Sequence, residues 1–206
     1  CVTDTFQLYE KDDMISALMA NNSDRRKRQK ELDIRVIMGN PPYSAGQTSA
    51  NDNAENVDYP SLDENITNTY AKFSKATSTK NLMDSYIRAI RWASDRIGTS
   101  GIVGYVTNAG WVDSNSSDGM RQCLKEEFSN IYVFHLRGNQ RTSGELSRKE
   151  GGKIFGSGSR APIAITLLVK NPDAKEHGKI FFHDIGDYLS QEEKLKIIRR
   201  WKHDKE

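Results

Sequence analysis

Val36-Ile37-Met38-Gly39-Asn40-Pro41-Pro42-Tyr43 is the stretch whose reading decides the fold. Its apolar residues run into Gly39 as a strand would, and Asn-Pro-Pro-Tyr then stops regular structure. Proline fixes φ, removes an N–H donor and drives the preceding residue out of the α region. Adjacent prolines at Pro41 and Pro42 therefore take the backbone out of a sheet in a stiff, extended loop. Asn40 is left at the strand's end with its side-chain amide projecting outward, and Tyr43 presents a ring beside it. From these residues alone, a plain Pro-Pro turn with Tyr43 as packing and a chemical site fit equally well.

Working outward, 206 residues suit a single domain large enough to bury a core. Charge is nearly balanced, with 30 basic against 28 acidic residues, so any basic surface must be local. Cys1 and Cys123 form no CxxC, and His135, His177, His183 and His203 lack ligand spacing, so no disulfide framework or metal site is expected. No long apolar run or signal peptide is present, which leads to an expectation of a cytoplasmic protein without membrane contact. The chain opens at Cys1 directly in strand-like sequence, as a piece of something longer would.

Cys1 to Phe6 reads as a strand end delivering an acid, Asp4, and a ring, Phe6; a frayed terminus is the competing reading. Leu8 to Leu32 turns helical, with Met14, Ile15, Leu18 and Met19 as an apolar stripe. Its charge run, Arg25 to Lys30, reads as a solvated face. Ser44 to Lys80 is a long polar segment with a hint of helix at Ile66, Tyr70 and Phe73; such loops are functional or simply mobile. Asn81 to Ile97 is the clearest helix, closed by Gly98. Strands at Gly101–Thr107 and Ile131–Leu136 flank a helix from about Ser117 to Phe128. This alternation predicts α/β architecture with a mainly parallel sheet and flanking helices, its ligands at the carboxyl ends of the strands, where Asn40 lies.

The segment from Arg137 to Arg160 is a second long loop. It sets Arg137, Arg141, Arg148, Lys149, Lys153 and Arg160 against only Glu145 and Glu150. That excess suits contact with a phosphate backbone, although a solvated loop accounts for it too. Gly156-Ser157-Gly158-Ser159 lacks the helix and Lys-Ser or Lys-Thr of a nucleotide P-loop. Phe155 precedes a strand at Ile163–Val169. Lys179–Phe182 reads as a short further strand, and Gln191–Trp201 as an amphipathic helix.

Asn40-Pro41-Pro42-Tyr43 resembles the catalytic motif of amino-methyltransferases that use S-adenosylmethionine. With the opening Asp4-Thr5-Phe6, the helix–strand pairs and the loop Leu136 to Glu145, the chain is similar to the adenine-methylase region of large single-chain restriction–modification proteins. The resemblance implies the C-terminal portion of a Rossmann-like methyltransferase fold over residues 1–189, and a helix at 190–206 leading toward a recognition domain. It implies methyl transfer to the N6 amine of an adenine extruded from double-stranded DNA, in a polypeptide that also carries helicase and nuclease domains. Asn40 and Pro41 would accept the amine's N–H bonds, favouring a pyramidal nitrogen and stabilising its developing charge. Tyr43 and Phe155 would stack on the extruded base, and Asp4 and Phe6 would hold the cofactor's adenine.

The family's Gly-rich cofactor loop does not occur before Asn40. This piece is therefore expected to bind S-adenosylmethionine weakly or not at all, and to be inactive alone. A protein glutamine-N methyltransferase, and a non-catalytic DNA-binding or assembly module, remain the alternatives.

Overall fold

The computed structural model describes residues 4–10, 20–42, 58–155 and 160–200. Strands β1 (Val36–Gly39), β2 (Gly101–Asn108), β3 (Asn130–Arg137), β4 (Ile163–Lys170) and β5 (Lys179–Asp184) form one sheet in the order β1-β2-β4-β3-β5. β1 lies parallel to β2 and β3 parallel to β5, while β4 runs antiparallel to both β2 and β3. All strands except β4 thus share one direction. The mainly parallel sheet expected from the alternation is present, with one reversed strand inserted at its centre.

The helices are α1 (Ala20–Glu31), α2 (Pro60–Ile66), α3 (Ser85–Arg96), the single turn α4 (Gly110–Asp113), α5 (Asp118–Glu127), α6 (Gly144–Glu150) and α7 (Gln191–Arg200). Of the expected Leu8–Leu32 helix the described part is α1, Ala20–Glu31; Phe6–Leu8 is a 3-10 turn, and the stripe Met14 to Met19 lies outside the described residues. Its charge run is not wholly solvated. Arg26 is buried and donates to the Gln7 carbonyl at 3.2 Å, and Lys30 to the Glu10 carbonyl at 2.7 Å.

Two expected loops contain helix. α2 runs on into a π-helical turn, Thr67–Ala71, where the Thr67 and Thr69 hydroxyls bond to the carbonyls of Asp63 and Asn65. Hydroxyls that bond back to the preceding turn in this way loosen a regular helix. Leu62, Ile66 and Tyr70 are fully buried there, so packing overrides the segment's polar composition. α6 occupies the middle of the basic loop, where no apolar periodicity announces it. The clearest sequence-predicted helix, Asn81–Ile97, splits instead at Asp84, an extended N-cap whose carboxylate accepts from the Tyr86 N–H, after a 3-10 turn at Lys80–Met83.

α3 and α5 cover one sheet face. Ile90, Ala93, Ile97, Met120, Leu124 and Phe128 pack there on Val103, Ile131, Val133 and Leu168. On the other face α7 brings Ile197 and Ile198 to Val106, Phe134 and Ile165. The row Met38–Gly104–Leu167–Tyr132–Phe181 on that side stays open, Met38 being 80% exposed. The central strands are therefore fully buried on one face only.

Candidate active site at the carboxyl end of β1

β1 ends at Gly39, and Asn40 stands exposed beyond it, followed by half-buried Pro41 and exposed Pro42. Gly39 lies against the ring of Tyr105 on the neighbouring strand, and a Cβ there would approach it to 3.4 Å. A cavity of about 330 Å³ opens at this corner, walled by Phe6, Ile37, Asn40, Pro41, Trp92 and Tyr105 among others. Its walls are aromatic and aliphatic with an amide on the rim, the composition of a pocket for a flat heterocycle. The Tyr105 hydroxyl is pushed well above the usual tyrosine range by burial alone. It is a neutral donor at any physiological pH.

Phe6 reaches this pocket because the N-terminal segment is fastened to the chain around the start of α2. Glu10 accepts the N–H groups of Ser61 and Leu62 at 2.9 and 3.2 Å, so its carboxylate caps the start of α2. Tyr59 donates its hydroxyl to Asp4 Oδ2 at 2.5 Å and meets Phe6 edge-on, with ring centroids 5.2 Å apart. Asp4 Oδ1 accepts the Phe6 N–H at 2.9 Å.

Among the described residues, Asn40 and the two ends of the basic segment lie toward one end of the sheet. β3 is parallel to β1, and β4 runs back from that same end. The basic segment therefore leaves from β3 and returns to β4 at the same sheet end as Asn40, three and two strand spacings away, roughly 14 and 10 Å. The Ala109 N–H bonds to the Pro162 carbonyl at 2.8 Å, closing the gap between the ends of β2 and β4. Arg141 is exposed and close enough to Asp84, at the start of α3, to draw its pKa down. Burial dominates at Asp84 nevertheless, and its carboxyl is pushed up to about 6. Phe155 is 37% exposed on the same segment. Tyr43 lies outside the described residues.

The six basic residues separate into two groups. Arg148 is exposed with a long 3.7 Å pair to Glu145, and Lys149 and Lys153 are half-buried. Arg137 turns inward: it sits at φ 57° and donates to Asp184 at 2.7 Å and to Asp187, which raises its pKa further. Arg160 donates twice to the Gln140 carbonyl. These two fasten the loop, a division that charge counting does not reveal. Sequence reading also missed Tyr59, Trp92 and Tyr105. Trp92 falls one turn beyond Ala89 on a recognised helix, which is the one available signal. His135 is buried on the β3 face that meets α5, where burial lowers its pKa, and no cluster of metal ligands occurs among the described residues.

The Eco57I restriction-modification methylase family matches residues 5–141. The nuclease-deletion mutant of the Type ISP restriction-modification enzyme LlaGI, in complex with a DNA substrate mimic, is 49% identical over 96% of this chain with a TM-score of 0.88. The ATP-dependent Type ISP restriction-modification enzyme LlaBIII bound to DNA is 43% identical over 98%, with a TM-score of 0.89. The DrdV–DNA complex is 39% identical over 89%, with a TM-score of 0.79. The chain spans 16%, 14% and 18% of those three chains, respectively. No curated protein sequence matches it. A family match over well over half its length, together with near-complete superposition on these enzymes, means that the chain belongs to the Eco57I restriction-modification methylase family.

Proposed function

We propose that the chain is the catalytic portion of a DNA methyltransferase acting on the N6 amine of an extruded adenine, within a longer polypeptide that also carries helicase and nuclease domains. One observation carries this reading. Asn40 and Pro41 stand at the carboxyl end of β1 and line a cavity together with Phe6, Trp92 and Tyr105.

The cavity fits one end of S-adenosylmethionine. Its aromatic walls suit the adenine ring, and about 330 Å³ is near the lower limit of ligand pockets, roughly 300–1,000 Å³. Phe6 and Asp4 would hold that adenine, with Tyr59 fixing both. The cofactor, when bound, supplies a methyl group made electrophilic by a sulfonium.

The chain's own part is to prepare the nucleophile. The Asn40 side-chain oxygen and the Pro41 carbonyl accept the two N–H bonds of the target amine, withdrawing its lone pair from the ring and directing it at the methyl carbon. As the new C–N bond forms and the C–S bond breaks, positive charge grows on nitrogen. The same two acceptors stabilise it. One proton then leaves the cationic nitrogen for solvent. Tyr43 and Phe155 stack on the base, and Arg141, Arg148, Lys149 and Lys153 meet the phosphates.

Asn40→Ala in the intact polypeptide tests this. The methylation rate is expected to fall ~100-fold or more, with S-adenosylmethionine and DNA affinities little changed. A loss of only a few-fold would remove Asn40 from the chemistry. Mass spectrometry of nucleosides from methylated DNA reads the position, N6-methyladenine being expected. Arg141→Ala combined with Arg148→Ala should weaken DNA binding and reduce its salt dependence; an enzyme acting on protein glutamine would be indifferent to both.

A further inference from the structure

Lys194 is fully buried, and its ammonium gives both its hydrogen bonds to main-chain carbonyls, Glu150 at 2.7 Å and Gly152 at 2.8 Å. Taking an ammonium out of water is costly unless its donors are used, so a lysine in such a place reflects a requirement for the two carbonyls it gathers. Those carbonyls belong to the end of α6 and the turn leading to Phe155.

Further links join the same two segments. Gln191 Nε2 donates to the Ile154 carbonyl at 2.9 Å, one residue before Phe155. The Gly152 N–H donates to the Leu189 carbonyl at 2.9 Å and the Tyr188 N–H to the Lys149 carbonyl at 3.0 Å. The backbones pass so closely that a Cβ on Gly151 would sit 2.1 Å from the Leu189 oxygen, and one on Gly152 2.3 Å from the Gln191 nitrogen. Ile154 packs against the same buried cluster, Leu136, Ile163 and Ile185, as Leu189, Ile197 and Ile198. α7 is itself rigidly begun: Ser190 and Glu193 form a reciprocal capping box, Ser190 N to Glu193 Oε2 at 2.8 Å and Glu193 N to Ser190 Oγ at 3.3 Å.

We infer that α7 is the positioning element for the aromatic wall of the base site, with Lys194 and Gln191 the residues that hold the Phe155 segment at its station. The inference rests on the reading of Phe155 as a base-stacking residue. A displacement of α7 against the sheet is transmitted to Phe155 through the hydrogen bonds that Gln191 and Lys194 give to its segment. Lys194 and Gln191 touch no substrate and act through Phe155.

The test uses the intact polypeptide and a duplex bearing 2-aminopurine at the methylated adenine, whose fluorescence rises on unstacking. Gln191→Ala and Lys194→Met should each lower the fluorescence rise and cut kcat/KM for DNA about tenfold, with the S-adenosylmethionine Kd unchanged. On a Phe155→Ala background Gln191→Ala should have no further effect, an outcome that general loss of stability would not produce. Normal fluorescence and kinetics in a folded Gln191→Ala protein overturn the inference, and that variant decides the matter if Lys194→Met does not fold. If Phe155→Ala alone leaves the signal intact, the stacking role of Phe155 is wrong and the inference falls with it.

Discussion

At the scale of single residues, position decides what a charge does. Arg137 and Arg141 stand four residues apart in one basic loop, yet the first is spent on Asp184 and Asp187 while the second faces outward near Asp84. Asp84 gives a direct test of the energetics. Burial raises its folded pKa to about 6, above the ordinary carboxylate value near 3.8. Between those two pH values the folded state binds more protons than the unfolded chain, so stability falls as pH rises through that window. Asn is as good an N-cap as Asp and carries no charge to desolvate. Asp84→Asn should therefore raise stability by about 1–3 kcal/mol at pH 7.5 and change it little below pH 4. Urea melts at the two pH values check this, and equal effects at both would refute the burial explanation.

At the scale of elements, α5 meets the π-turn after α2 with its backbone pressed close. Gly119 lies in the first turn of α5. A Cβ there would come within 2.1 Å of the Tyr70 carbonyl oxygen and 2.6 Å of the Ser74 nitrogen. In an unobstructed helix, Gly to Ala stabilises by roughly 0.8–1 kcal/mol. Here the collision is with backbone, which has no rotamer to yield. Gly119→Ala should instead destabilise by about 1–3 kcal/mol, read as a lower midpoint in thermal or urea unfolding. A stabilised variant would show that the π-turn gives way easily. This contact also orders the end of the segment after Asn40-Pro41-Pro42, because Asp118 holds Ser74 and Lys75 through its carboxylate.

At the scale of the whole molecule, one sheet end gathers the site while one part of a sheet face stays uncovered. The cavity beside Asn40, about 330 Å³, is near the lower limit of ligand pockets, roughly 300 Å³. We therefore expect titration calorimetry of the 206-residue chain with S-adenosylmethionine to show no micromolar binding, and the intact polypeptide to bind. Micromolar affinity in the short chain would mean that the pocket of Phe6, Trp92 and Tyr105 suffices by itself. No helix among the described residues is long and apolar enough to cross a membrane.

The sequence by itself determined what local chemistry dictates. Two prolines end β1 and leave Asn40 exposed, the spacing of Tyr86, Ala89, Ile90 and Ala93 makes α3, and apolar runs mark the strands. Only the tertiary structure decided the reversal of β4, the inward turn of Arg137 and Arg160, the clamp of Tyr59 on Asp4 and Phe6, and the burial of Lys194. Each of these depends on a partner distant along the chain, Asp184 for Arg137 and Asp4 for Tyr59. Strand direction is set by which neighbours satisfy the backbone, and the sequence of β4 would pair in either sense. Local pattern fixes where an element starts and stops; the partners its polar groups find are fixed only when the chain is packed.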